Sequence, residues 1–234
     1  MNLKILSLVI IGVCILLPDV CYAFLEKDVH LLNMQNGLAD NTVSAVYKDK
    51  EGFVWFGTRN GLSRYDGRQI TNFEQSNSYP SISNLKEIFD GVLAFVDNGV
   101  FSAFDLKKER FLSVVSSSEK RIPSWGMLQK NDSLVWVISG SELHLMKRCA
   151  SKEGELRLRV QEKYTGWDNQ DNLLVAITYS SDKKSICLID EKGRIILLDA
   201  TNLNSFRVID LGRTGSLSVN SVLYDDGRIW ISTI

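Results

Sequence analysis

The chain has 234 residues, 44% of them hydrophobic and 24% charged, with a formal net charge of −1. This is the composition of an ordinary globular chain with enough apolar surface for a substantial core, and it argues against disorder. The near-neutral charge offers no basic surface for nucleic acid.

The first predicted element is a leader. Lys4 precedes the run Ile5 to Leu17, apolar or small except for Ser7, and Pro18-Asp19 ends it. Cys21-Tyr22-Ala23 then places small residues three and one positions before a cut at Phe24. This order is that of a signal peptide. A membrane anchor would need roughly 20 apolar residues, more than the run contains. The lipoprotein reading lacks a small residue directly before Cys21. We therefore expect residues 1–23 to be a signal peptide and 24–234 one exported domain.

Blade-like strands come next. Thr42 to Lys48, Phe53 to Gly57, Leu62 to Tyr65 and Ile70 to Phe73 are predicted strands, with Asn60-Gly61 and Asp66-Gly67 marking tight turns between them. Ser76 to Ser83 and Ser116 to Ser124 read as connections between units. Further turns are expected at Asn98-Gly99, Ser139-Gly140 and Glu191-Lys192-Gly193. No segment combines a sustained helical period with a cap and a stop signal.

An internal repeat organises these strands. Val43-Ser44-Ala45-Val46-Tyr47-Lys48-Asp49 and Gly52-Phe53-Val54-Trp55-Phe56-Gly57-Thr58 reappear as Val219 to Asp225 and Gly227 to Thr233. Weaker copies occur at Ile88 to Phe95, Asn131 to Val137, Tyr164 to Ile177 and Ser185 to Leu198. The anchors Trp55, Phe95, Trp136 and Trp230 are separated by 40, 41 and 94 residues, the last gap spanning two repeats. A period in the forties with four strands per unit predicts a β-propeller. The fold class is all-β: about four and a half blades of four antiparallel strands. Tryptophans recurring at Trp55, Trp136 and Trp230 are expected in the core between blades.

Asn36-Gly37-Leu38-Ala39-Asp40-Asn41-Thr42-Val43, then Asp49, Gly52 to Thr58 and Asn60-Gly61-Leu62-Ser63-Arg64-Tyr65-Asp66-Gly67, resemble the two-component regulator propeller repeat. The resemblance is to the amino-terminal end of the periplasmic sensor region of Bacteroides-type hybrid two-component histidine kinase/response regulators. It covers blade one almost throughout and the first half of the unit at Val219. It implies a seven-bladed ring, closed in the intact protein by an outer latch strand at Val29-His30-Leu31-Leu32. It also implies a homodimeric inner-membrane protein that senses an oligosaccharide and signals to a cytoplasmic histidine kinase outside this chain. Neither His30 nor His144 has the surroundings of a phosphoaccepting histidine, so no catalytic residue and no enzyme activity is expected here.

Candidate ligand-binding residues are those that break the repeat, since propeller recognition rests on variable loops. Trp125 and Trp167 are loop aromatics able to stack on a sugar face, and Arg59 could pair with an acidic sugar. Asp49, Asp66 and Asp225 read as turn caps rather than calcium ligands. Cys149 and Cys187, with His30 and His144, make no zinc spacing, so no metal or cofactor is expected. Cys187 reads as a buried strand residue, with a disulfide to Cys149 the lesser reading. The competing functions are an exported carbohydrate-active enzyme and a protein-interaction scaffold.

Overall fold

The computed structural model describes residues 31–74, 81–116, 121–165, 167, 172–212 and 216–233. The expected leader, and Val29 and His30 of the latch, lie outside them. Leu31 to Asn33 carry no strand. Met34–Ile234 form one compact unit, and every described strand belongs to it. No helix among the described residues is long and apolar enough to cross a membrane.

Blade one comprises β1 (Val43–Lys48), β2 (Val54–Thr58), β3 (Gly61–Tyr65) and β4 (Ile70–Phe73). These match the predicted spans to within a residue. Blade two is β5 (Ile82–Phe89), β6 (Val92–Asp97), β7 (Val100–Asp105) and β8 (Arg110–Ser116), and blade three is β9 (Gly126–Asn131), β10 (Leu134–Ser139), β11 (Glu142–Cys149) and β12 (Glu155–Tyr164). Blade four is β13 (Leu174–Tyr179), β14 (Ser185–Asp190), β15 (Arg194–Asp199) and β16 (Phe206–Asp210), and the half blade is β17 (Val219–Asp225) with β18 (Arg228–Thr233). The only helical element among the described residues is a 3-10 turn at Met34–Asn36. The fold is an incomplete β-propeller. The segment Tyr164 to Ile177, read as a strand repeat, is instead the end of β12, a connection, and the start of β13.

Within each blade, strands pair antiparallel in chain order, but blades two and three are also joined. Their outer strands β8 and β12 run parallel from Glu155 opposite Ser113 to Leu158 opposite Ser116. Ser113 N donates to Gly154 O at 2.8 Å. The pairing satisfies two strand edges that would otherwise be open to solvent.

Four apolar clusters lie between successive blades. Trp55, Leu62, Leu93, Phe95 and Phe104 fill the space between blades one and two. Ala94, Val96, Val135 and Val137 lie between two and three. Trp136, Ile138, Ile186 and Leu188 lie between three and four, and Cys187, Ile189, Val222 and Tyr224 between four and the half blade. Alternate residues of each second strand thus face opposite neighbours, as strand geometry requires.

This alternation corrects one anchor. Phe95 is buried but faces blade one; counting back from the β6–β7 turn, the position equivalent to Trp55 and Trp136 is Ala94. In blade four the same position is Cys187. Trp230 does hold the Trp55 register, since Leu223 stands opposite it as Tyr47 does opposite Trp55. Its side chain is nevertheless 61% exposed, against 1% for Trp55 and Trp136. Burial at this position comes from the next blade in the chain, and among the described residues β18 has β17 as its sole partner.

Gly57 marks how closely blades approach. A Cβ there would sit 2.7 Å from Ile82 Cγ2 and 2.9 Å from Ile82 O, so only glycine fits. Ser44 Oγ donates to the same carbonyl across the blade boundary.

Candidate functional site

Because each blade alternates direction strand by strand, the turns after β2, β6, β10 and β14 share one end with the connections between blades. Arg59 lies in the first of these turns. Thr58 Oγ1 closes that turn by donating to Gly61 O at 2.9 Å and accepting from Asn60 N at 3.1 Å. Arg59 is exposed and makes no ion pair among the described residues.

Trp125 sits in the connection between β8 and β9, on the same end. Its backbone is fixed on both sides: Trp125 N donates to Ile138 O at 3.2 Å, and Asn84 Nδ2 donates to Trp125 O at 2.9 Å. The preceding residues run along the β6–β7 turn, with Ser124 N bonded to Gly99 O at 2.8 Å and Phe101 N to Ile122 O at 2.9 Å. The indole lies alongside Gly99, whose φ is 76°: a Cβ there would lie 3.8 Å from Trp125 Cη2, an ordinary van der Waals contact. The ring remains 48% exposed. The Trp125 backbone is thus held on both sides while the side chain stays half exposed.

Asn98 and Val100, which flank Gly99, line a hollow of about 400 Å³ between the β6–β7 turn and β8. Asp97, Ser102 and Arg121 supply further polar groups to it. The Asp97 carboxyl accepts from Asn98 Nδ2 at 3.1 Å and Ser81 N at 3.2 Å. Burial still raises its pKa above the usual carboxylate range. Arg121 is exposed and makes no ion pair among the described residues. Among the described residues the hollow therefore offers one carboxylate, one guanidinium and neutral donors, and Trp125 is not one of the residues that line it.

Trp167 differs from the expected loop aromatic. It is 9% exposed, packs with Leu198 and Leu203, and meets Phe206 edge-on with ring centroids 5.9 Å apart. Its indole nitrogen has no hydrogen-bond partner among the described residues. The structure thus sets Trp125 beside the blade-two turn, Arg59 on blade one and Trp167 inside the boundary of blades three and four. The Asp97–Arg121 hollow was missed in the sequence because Asn98-Gly99 registered as a turn and Arg121 as part of a connection.

Other candidates have packing roles. His144 is buried, with Nε2 2.6 Å from Glu142 Oε2. Cys149 and Cys187 are free thiols, and burial pushes the Cys187 pKa up to about 12. Among the described residues no group of three or more His, Cys, Asp or Glu side chains could hold a metal ion.

Residues 37–60 match the family model described as two component regulator propeller. No curated protein matches the chain. Among solved structures, it is similar to the extracellular domain of a proposed one component system from B. thetaiotaomicron, at 16% identity and TM-score 0.65, covering 88% of this chain and 30% of that one. A proposed hybrid two component system from the same organism gives 17% identity and TM-score 0.61, covering 87% and 29%. Virginiamycin B lyase from Staphylococcus aureus gives 14% identity and TM-score 0.55, covering 81% and 62%. The chain thus spans about 30% of the length of the first two. At these identities the likeness establishes the propeller fold.

Proposed function

We propose that this chain is part of the extracytoplasmic sensor region of a hybrid two-component signalling protein, and that it recognises an oligosaccharide. The observation that carries the reading is Trp125, a half-exposed aromatic residue held through its backbone against the β6–β7 turn, whose Asn98 and Val100 line a polar hollow. A sugar ring stacked on the indole would present hydroxyls to Asn98, Ser102 and Arg121, while Arg59 extends the same end for an acidic residue. The two component regulator repeat at residues 37–60 supports the signalling context. In that context the leader at 1–23 directs the chain to the periplasm. The intact protein sits in the inner membrane as a homodimer, and its histidine kinase lies in another region.

A glycosidase would need two carboxylates flanking the bond. Among the described residues Asp97 is the one carboxylate that lines the hollow. We read the chain as binding its ligand without cleaving it, and an interaction scaffold as the weaker alternative.

The test is to incubate the chain with a panel of oligosaccharides, measure binding, and analyse the sugars afterwards. Binding with every sugar recovered intact supports the sensor reading. New chain ends in the recovered sugars overturn it in favour of an enzyme, and capture of protein with no sugar bound overturns it in favour of a scaffold.

A further inference from the structure

The inner strands of blades one, two, four and the half blade each carry a register shift near their start. The shifts fall between Val43 and Ala45, Ser83 and Lys86, Leu174 and Ala176, and Val219 and Ser221. A bulge leaves a residue out of the ladder and re-aims its side chain. Ser44, Asn84, Leu85 and Val175, which lie within three of these shifts, all line one open cavity of about 280 Å³ bordered by the inner strands of blades one, two, four and the half blade. Asn84 takes a φ of 53°, the left-handed conformation that asparagine tolerates better than most residues.

Lys86 lines the same cavity, and no other lining residue is ionisable. Its ammonium has no hydrogen-bond or ion-pair partner among the described residues. Burial alone lowers its pKa below the usual lysine range. A partly desolvated cation without a counter-charge is unfavourable, and an anion held beside it would offset that cost. Neutral donors are close by: Ser221 lines the cavity, and Asn84 retains one amide proton after its bond to Trp125 O.

We propose that the space between the inner strands is an oxyanion site whose charge is supplied by Lys86. Its ligand is a single carboxylate or sulfate group, either free in solution or carried on a sugar. The site is distinct from the Trp125 surface, and its occupancy does not require that ring.

The experiment titrates the 234-residue chain, with lysines carrying ¹³C-methyl labels, against sodium sulfate, sodium glucuronate and neutral methyl glucoside at constant ionic strength. The Lys86 signal is assigned as the one missing from Lys86→Arg. Sulfate, glucuronate or both should shift that signal and raise its pKa, and methyl glucoside should not. Which anion acts distinguishes an inorganic ion from an acidic sugar. By calorimetry, Lys86→Met should weaken sulfate binding at least about tenfold, and Lys86→Arg should retain it. An unmoved Lys86 signal in the parent chain overturns the site whether or not Lys86→Met folds, and so does undiminished binding by a folded Lys86→Met. A Lys86 signal that neither anion moves, in a chain that still binds an oligosaccharide at Trp125, would overturn this site alone and leave the sensor reading standing.

Discussion

The indole of Trp55 donates to the carboxylate of Asp49 at 2.7 Å, and the other oxygen of that carboxylate accepts from Phe53 N at 2.9 Å. One side chain thus closes the β1–β2 turn and satisfies the buried nitrogen of the blade-one core. Removing it leaves that nitrogen without a partner. Asp49→Ala should therefore cost about 1–3 kcal/mol, seen as a lower urea midpoint at unchanged slope. Asp49→Asn keeps an acceptor and should cost less. Equal midpoints for parent and Asp49→Ala would show that the bond carries no stability.

Trp136 and Trp230 occupy one repeat position but different surroundings. Trp136 is 1% exposed, and its Nε1 donates to Tyr179 Oη at 3.1 Å across the boundary of blades three and four. Trp136→Ala should destabilise the chain by about 3–5 kcal/mol. Trp230, 61% exposed, should change stability by no more than about 0.5 kcal/mol when replaced by alanine. Thermal and denaturant unfolding of both variants checks the pair, and equal losses would contradict the assigned register.

The two free thiols should differ in reactivity. Thiolate is the attacking form, and Cys187 is buried with its pKa pushed up to about 12. Its neutral form is favoured by the fold, so its contribution to stability is present at neutral pH and is lost as pH rises beyond the ordinary thiol range toward 12. Iodoacetamide at about pH 8, near the ordinary thiol pKa, should label Cys149 in the folded chain and Cys187 only after denaturation, as read by peptide mass spectrometry. Labelling of both at one rate would contradict the burial of Cys187.

Export predicts a processed amino terminus. Material recovered from the periplasm should begin at or near Phe24. A chain that keeps Met1 and stays in the cytoplasm would contradict the leader.

Blade one was legible almost residue by residue, because Asn60-Gly61 and Asp66-Gly67 combine with alternation to mark both turns and strands. Elsewhere the period found the blades but not their register. Spacing placed Phe95 where Ala94 belongs, since a repeat length alone does not fix register within a strand and the register is set by the β6–β7 turn. Trp230 looked like core because a repeat position names its usual neighbour, whereas burial depends on that neighbour being present. The pairing of β8 with β12 left no local signal, as parallel contacts between distant strands depend on how blades stack. At the site, Trp125 stood out as a loop aromatic, but Trp167 has the same local character and turned inward against Phe206.

Oligosaccharide recognition on the Trp125 face is tested most directly by titrating a glycan panel against the parent chain and Trp125→Ala, with unfolding temperature as a control. The half-exposed ring at Trp125 predicts a bound oligosaccharide that quenches or shifts tryptophan emission, and a variant of unchanged stability whose affinity falls by about tenfold or more. A panel in which no glycan binds, or one that binds the variant as tightly as the parent, would contradict it.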